Sequence, residues 1–238
     1  MTDQLTRDNA FANMLGEDYA LLKFSYPHHD EFQATVADQV HQHFISSNID
    51  TIKVLEGGAG SGVTTSFLLA ADPRITVVAV DSAKAMLDQA ETLLSDEKQR
   101  VKLIERDLLE YIRQQPDKSF DAFVAVWVLH NLQPEYREEL FPEIRRVLKP
   151  NGIFVSGDKY TVADLTEHQK QLGMQLDRFR QFPTKNKAII DAWVDHNLED
   201  EDIRIGEKEQ LGILNDLGFQ DVQTVYRQDM EAIIRGVV

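Results

Sequence analysis

From Lys53 onward the chain alternates short apolar runs with amphipathic stretches, and that alternation restricts it to repeated β-α units wound around a parallel sheet. Strands are predicted over 51–56, 75–80, 101–105, 120–128 and 152–157, each followed by a polar break. The run FDAFVAVWV, Phe120 to Val128, lacks strict alternation, which is the pattern of a central strand covered on both faces. Between the strands, Ser82 to Leu94 carries Met86, Leu87, Ala90 and Leu94 on one helical face, with Ser82 placed to cap its N-terminus. Pro134 to Leu148 turns Leu140, Ile144 and Val147 or Leu148 toward the sheet. Pro142 is a candidate kink there, and the KPNG that follows stops the helix.

Two further regions flank this core. A helix over Glu31 to Ser46, with Phe32, Val36, Val40 and Phe44 at four-residue spacing, is placed to cap the site. After Ser156 a polar, helix-prone insertion runs from Ala163 to Glu201. The chain then ends in LNDLGFQDVQTVYRQDMEAIIRGVV, a helix end followed by an antiparallel hairpin. No repeat or linker separates domains, so the reading is a single domain in four parts. These are an N-terminal helical lid over 1–50, a core over 51–157, a helical insertion over 158–205, and a C-terminal helix and hairpin over 206–238.

Composition narrows the function. The opening segment has no basic stretch leading into an apolar one, and no apolar run reaches membrane-spanning length, which points to a cytoplasmic protein with no membrane partner. The absence of cysteine excludes disulfides, thiolate metal sites and a cysteine nucleophile. A formal net charge of -15 and a pI near 4.8 are opposite in sign to the footprint that phosphate backbones require, which disfavours nucleic acid as a partner.

Four of the twelve glycines fall between Gly57 and Gly62, directly after the first predicted strand. A strand that runs into glycines and then a helix lets the backbone approach a ligand and presents the first helical amides to it. The spacing is not that of a dinucleotide fingerprint, because the third position counted from Gly58 and Gly60 is Val63, and no G-K-[ST] follows to make a phosphate loop. It reads acid-x-G-x-G-x-G, with Glu56, Gly58, Gly60 and Gly62 in the fixed places.

Taken with the later runs, this stretch resembles the class I S-adenosylmethionine-dependent methyltransferases. VLEGGAGSG looks like their first motif, FDAFVAVWVLHNL like the fourth, and LFPEIRRVLKPNGIFV like the stretch after it; the likeness covers roughly Lys53 to Ser156, and the terminal hairpin fits the family's reversed last strand. The resemblance implies a Rossmann-like class I methyltransferase fold: α/β, a mostly parallel seven-stranded sheet with helices on both faces and an antiparallel last strand. It also implies S-adenosyl-L-methionine as cofactor, cradled by Glu56, Gly57, Gly58, Gly60 and Gly62. Asp81 would take the ribose hydroxyls, since one carboxylate accepts from both donors of a diol, with Ser82 and Met86 beside it. Asp107 and Leu108 would contact the adenine, and Val126 and Trp127 of the fourth motif complete the set. The residues alone leave alternatives, because an acid at Asp81 also suits a helix N-terminus and Asp107 also suits a helix cap.

A sulfonium methyl is already electrophilic, so the protein must chiefly align a nucleophile with it, an effect worth roughly 7 to 11 kcal/mol. A base is needed only where the acceptor must lose a proton. His130, at the end of the fourth strand, is the expected catalytic residue, with packing beside the cofactor as its alternative. Tyr26, His28 and His29 in the lid, with Tyr160 and Trp193, are expected on the acceptor side, joined by Phe179, Phe182, Lys159, Arg178 and Arg180. The alternative there is an amphipathic helix burying its own aromatics. VWVLHN stands where many amino-methylating relatives carry N/D-P-P-Y, which argues against nucleobase amines. No metal is expected, because neighbours in YPHHDE point apart and His41 and His43 do not share a helix face. The expected function is therefore in-line methyl transfer to O or N of a small-molecule acceptor, by a monomer or homodimer. FSYPHHDEFQ and the insertion before LNDLGF loosely resemble the branch containing the bacterial carboxy-S-adenosylmethionine synthase, which supplies one alternative. A cofactor-binding protein without transfer activity is the other.

Overall fold

The computed structural model describes residues 21–238, and the first twenty residues of the expected lid lie outside the described residues. The chain enters through α1 (Leu22–Ser25) and α2 (His29–Phe44). A β-α alternation follows: β1 (Ile52–Gly57), α3 (Val63–Ala71), β2 (Ile75–Asp81), α4 (Lys84–Leu93), β3 (Val101–Glu105), α5 (Leu108–Arg113), β4 (Phe120–Val126), α6 (Pro134–Val147) and β5 (Leu148–Lys159). Two insertion helices, α7 (Leu165–Arg180) and α8 (Lys187–Glu199), precede α9 (Glu207–Asp216) and the hairpin of β6 (Gln220–Gln228) and β7 (Glu231–Val237).

The seven strands lie in the order β3-β2-β1-β4-β5-β7-β6. Strands β1 to β5 pair in parallel, and β7 runs antiparallel to both of its neighbours. This is the seven-stranded, Rossmann-like α/β arrangement expected from the sequence. Strand order reverses between β1 and β4, so the loops leaving their carboxyl ends diverge and open a crevice there.

Side-chain alternation divides the core between two faces. Val54, Val77, Val124 and Val155 meet Phe32, Val36 and Val40 of α2 and Leu68 of α3 on one side. Leu55, Phe123 and Phe154 meet Ile112 of α5 and Leu140, Phe141 and Ile144 of α6 on the other. Each such side chain contributes about 1.5 to 3 kcal/mol by leaving water. Strand β4 is buried at every position, which is why its sequence does not alternate. The four-residue apolar spacing of α2 is likewise accounted for, since Phe32, Val36, Val40 and Phe44 are all buried.

Three local readings are corrected. Helix α4 begins at Lys84 with Ala83 as its N-cap, and Ser82 makes no cap. Ahead of the helix, Asp81 Oδ1 accepts from the Ala83 amide at 2.8 Å, fixing the turn that leads into it. Strand β4 stops at Val126, because Trp127 takes a left-handed backbone with φ 55°. After α6 the KPNG segment does more than stop a helix: it is the irregular start of β5, with Asn151 at φ 62° and its amide bonded to Val238 O at 2.9 Å.

The insertion is helical, as its composition suggested. Asp164 caps α7 by accepting from Thr166 and Glu167 amides at 2.9 and 3.0 Å, and Asn186 caps α8 through the Ala188 amide at 3.2 Å. Its Leu176, Phe179, Phe182, Ile189 and Trp193 join Leu22, Tyr26 and Trp127 in one apolar cluster, so the insertion and the N-terminal helices together cover the carboxyl side of β4. Among the described residues, no helix is long and apolar enough to cross a membrane.

Candidate cofactor and acceptor site

The glycine segment leaves β1 at Gly57 and becomes α3 at Val63. At Gly58 the turn needs glycine twice over: φ is 65°, and a Cβ there would lie 2.3 Å from Cγ2 of Val128. Gly60 faces the crevice, while its amide donates to Asp81 Oδ2 at 2.7 Å. Asp81 thus ties the glycine loop to the start of α4 with its two oxygens and still lines the crevice.

The crevice is a cavity of about 830 Å³, open mouth included, at the carboxyl ends of β1 to β4. Nine of the twelve expected cofactor residues line it: Gly58, Gly60, Asp81, Ser82, Met86, Asp107, Leu108, Val126 and Trp127. The other three stand behind the loop. Gly57 backs onto Leu108, Gly62 onto Ala90 and Leu94. Glu56 is 1% exposed and accepts from Thr65 Oγ1 at 2.6 Å. Burial pushes its carboxyl up to about 8, so it is protonated at neutral pH.

At the far end, Asp107 is held from two directions. Its Oδ1 caps α5 through the Glu110 amide at 2.8 Å, and its Oδ2 accepts from the Tyr136 hydroxyl at 2.8 Å. That hydroxyl accepts in turn from the Leu109 amide at 2.9 Å. Tyr136, Arg106, Asn131, Val80, Ala83, Val128 and Leu132 line the cavity without having been singled out in the sequence. Arg106 adjoins the expected acid and Asn131 adjoins the expected histidine, so position after a strand end was a usable signal for them. Nothing local marks Tyr136, which reaches in from α6.

Trp127 forms the wall opposite Asp81. Tyr26 stacks on it with ring centroids 4.8 Å apart, Phe32 lies 5.3 Å away at 10°, and His29 lies at 5.2 Å. A bulky residue at positive φ costs of order 1 to 3 kcal/mol and persists only where its surroundings fix it, and here three rings do so. Tyr26 continues to Phe179 at 6.4 Å, and Phe179 stacks on Trp193 at 5.7 Å. Of the expected acceptor-side residues, Tyr26, His29 and Trp193 therefore meet in one cover over Trp127. His28 turns away to Glu31 at 3.2 Å. Tyr160 is wholly buried on the other face of the sheet, its hydroxyl 2.9 Å from Ser156 Oγ, and belongs to the core.

His130 does not line the cavity. It is 2% exposed, with Nδ1 against the Asp158 carboxylate and Nε2 3.6 Å from Asp200. Burial holds its imidazole well below the ordinary range, so the ring is neutral at pH 7. Among the described residues, no His, Cys, Asp and Glu group is arranged to hold a metal ion.

A family model described as a methyltransferase domain matches residues 54–152, the stretch that builds this cavity. The carboxy-S-adenosyl-L-methionine synthase of Campylobacter lari is 28% identical over 195 residues, covering 79% of this chain and 77% of that protein. Over these residues the chain is similar to the class I S-adenosylmethionine-dependent methyltransferases. Proteins of that class take S-adenosylmethionine as methyl donor. Solved methyltransferases share the fold at low identity. The magnesium protoporphyrin IX methyltransferase of Synechocystis PCC 6803, with bound S-adenosylhomocysteine, aligns with a TM-score of 0.63 at 16% identity over 99% of both chains. The CurJ carbon methyltransferase gives 0.63 at 18%, covering 86% of this chain and 53% of that one, so the present chain spans about half its length.

Proposed function

We propose that this protein is a methyltransferase that moves a methyl group from S-adenosylmethionine to O or N of a flat, largely apolar small-molecule acceptor. The observation that carries the reading is Asp81. Its carboxylate ends β2 inside the cavity and is oriented by the Gly60 and Ala83 amides, the geometry that receives a ribose diol. The chemistry of the lining fits the cofactor: an acid at the diol end, Met86 and Leu108 as apolar walls for a purine, and Asp107 fixed at the rim. When bound, the cofactor supplies an electrophilic methyl. Asp81 and Ser82 hold the ribose, Gly58 and Gly60 admit the chain close to their backbone, and Trp127 limits where the acceptor can lie.

The acceptor class is inferred from the cover. Tyr26 and Phe32 stack on Trp127, and Phe179 and Trp193 back Tyr26 in the same buried cluster, so Trp127 offers the cavity a rigid apolar wall suited to a planar molecule. For an acceptor that must lose a proton, the candidate base is His29, which stands against Trp127 and is oriented by Asp30 at 2.8 Å. His130, enclosed between carboxylates, is not kept in that role. Incubation with labelled S-adenosylmethionine and a panel of phenols, catechols and heteroaromatic amines tests the reading. Donor-dependent methylation of a panel member is expected, and transfer to none of them counts against it.

The likeness to carboxy-S-adenosyl-L-methionine synthases favours a second reading, in which the ligand carries an additional carboxylate. That group would need a cation. Among the described residues lining the cavity the cation is Arg106, beside Asp107 and bonded to Gln114 at 2.6 Å, which places it at the rim away from Trp127. Mass spectrometry of ligand retained on purification separates the two: carboxylated cofactor favours the second reading and ordinary cofactor the first.

A further inference from the structure

The wall formed by Trp127, Val128, Asn131 and Leu132 is not held by the sheet alone. Beyond Val126 the sheet gives this turn one hydrogen bond, from the Trp127 amide to Gly157 O at 2.8 Å. Arg137 of α6 binds the Leu129 and Leu132 carbonyls at 3.2 and 2.6 Å. Asp158, near the end of β5, does the rest. Its Oδ2 accepts from the Leu129 and His130 amides at 2.7 and 3.3 Å, and its Oδ1 engages Nδ1 of His130.

His130 then reaches the other way. Its Nε2 stands 3.6 Å from Asp200 Oδ2, and the same oxygen is 3.5 Å from Nε2 of His196 and 3.7 Å from Nζ of Lys159. Lys159 donates to Asn197 Oδ1 at 2.8 Å. Asp158 and Lys159 belong to β5, whereas His196, Asn197 and Asp200 belong to α8 and the turn that ends it. A single imidazole, fixed to the cavity wall by its own backbone, thus spans the seam between core and insertion. Both carboxylates have no exposed side-chain surface, and His130 and Lys159 have 3% each.

Burying charges in this way is costly, and apolar side chains of the same volume would hold the insertion as well or better. What the charges add is register. An insertion displaced along the core would leave Asp200 or Lys159 buried without its partner, so the docked arrangement is discrete rather than sliding. We propose that Asp158, His130 and Asp200 are positioning residues through which docking of the insertion sets the wall of the cofactor cavity, so that docking and cofactor binding stabilise each other. The inference rests on the reading of that cavity as the cofactor site. Linkage makes it reciprocal: whatever loosens the seam weakens the cofactor, and the cofactor tightens the seam.

The test is calorimetric titration of the full chain with S-adenosylhomocysteine, for wild type, Asp200→Asn, His130→Gln and the double variant, each well below its melting temperature. It is joined by hydrogen exchange on wild type with and without ligand. Asp200 does not line the cavity, so a merely structural role would lower Tm and leave Kd unchanged. The expected result is a Kd raised on the order of tenfold in Asp200→Asn, no further loss when that change is added to His130→Gln, and slower exchange over 165–202 when ligand binds. An unchanged Kd, or losses that simply add, overturns the proposal. If Asp200→Asn does not fold, exchange in wild type decides, and unaltered protection of 165–202 overturns it. A wild type that fails to bind the ligand overturns the cavity reading and this inference with it. Binding without coupling overturns the seam alone.

Discussion

Glu56 shows how a motif residue can act without lining the cavity. It sits beneath the glycine loop, 1% exposed, with its carboxyl raised from 4.5 to about 8 by burial. An acid whose folded pKa lies above its unfolded one keeps its proton longer when folded, so stability falls as pH rises from 4.5 toward 8 and stays reduced above that. Glu56→Gln removes the titration, so its melting temperature should gain on wild type between pH 5 and pH 9. A difference independent of pH would contradict the protonated form. Gly58→Ala should cost about 1 to 3 kcal/mol through its positive φ and its clash with Val128. Adding Val128→Ala should return the steric part only, as denaturant melts of both variants would report. The places of Asp81 and Asp107 in the cavity lining were legible because an acid at or just after a strand end is visible in the sequence. Tyr136 was not, since its hydroxyl reaches Asp107 across 29 residues through the placement of α6.

At the scale of elements, the alternation of runs was enough to locate the five parallel strands, and the four-residue apolar spacing in α2 was enough to choose its buried face. The end of β4 was not legible, because Trp127 leaves the strand under forces from elsewhere in the chain: the stack of Tyr26 and Phe32 and the pull of Asp158 on the following amides. His130 was misjudged for the same reason, since its strand-end position suggests the cavity and only the fold of the insertion shows what encloses it. The insertion helices depend on their caps more than on their polar sequence. Asp164→Ala should therefore lower stability by about 1 kcal/mol and speed hydrogen exchange in α7 while leaving α3 to α6 unchanged. Faster exchange across the whole chain would mean that α7 does not open independently.

For the whole molecule, the parallel sheet, the glycine loop and the cover fall into one arrangement: a candidate cofactor cavity at the strand-order reversal, whose Trp127 wall is backed by residues from both flanking regions. The cover was legible as a location, because the sequence places helices before and after the core. Its function was not, because which aromatics meet depends on how α7 and α8 pack. The central claim is that the glycine loop and Asp81 form the cofactor cradle. It is tested most directly by calorimetry of S-adenosylhomocysteine on wild type, Asp81→Ala and Asp81→Asn. Micromolar binding to wild type, weakened roughly tenfold or more in both variants by loss of charge-assisted hydrogen bonds to the ribose, is the expected result. Unchanged affinity in both variants, or no binding by wild type, would contradict it.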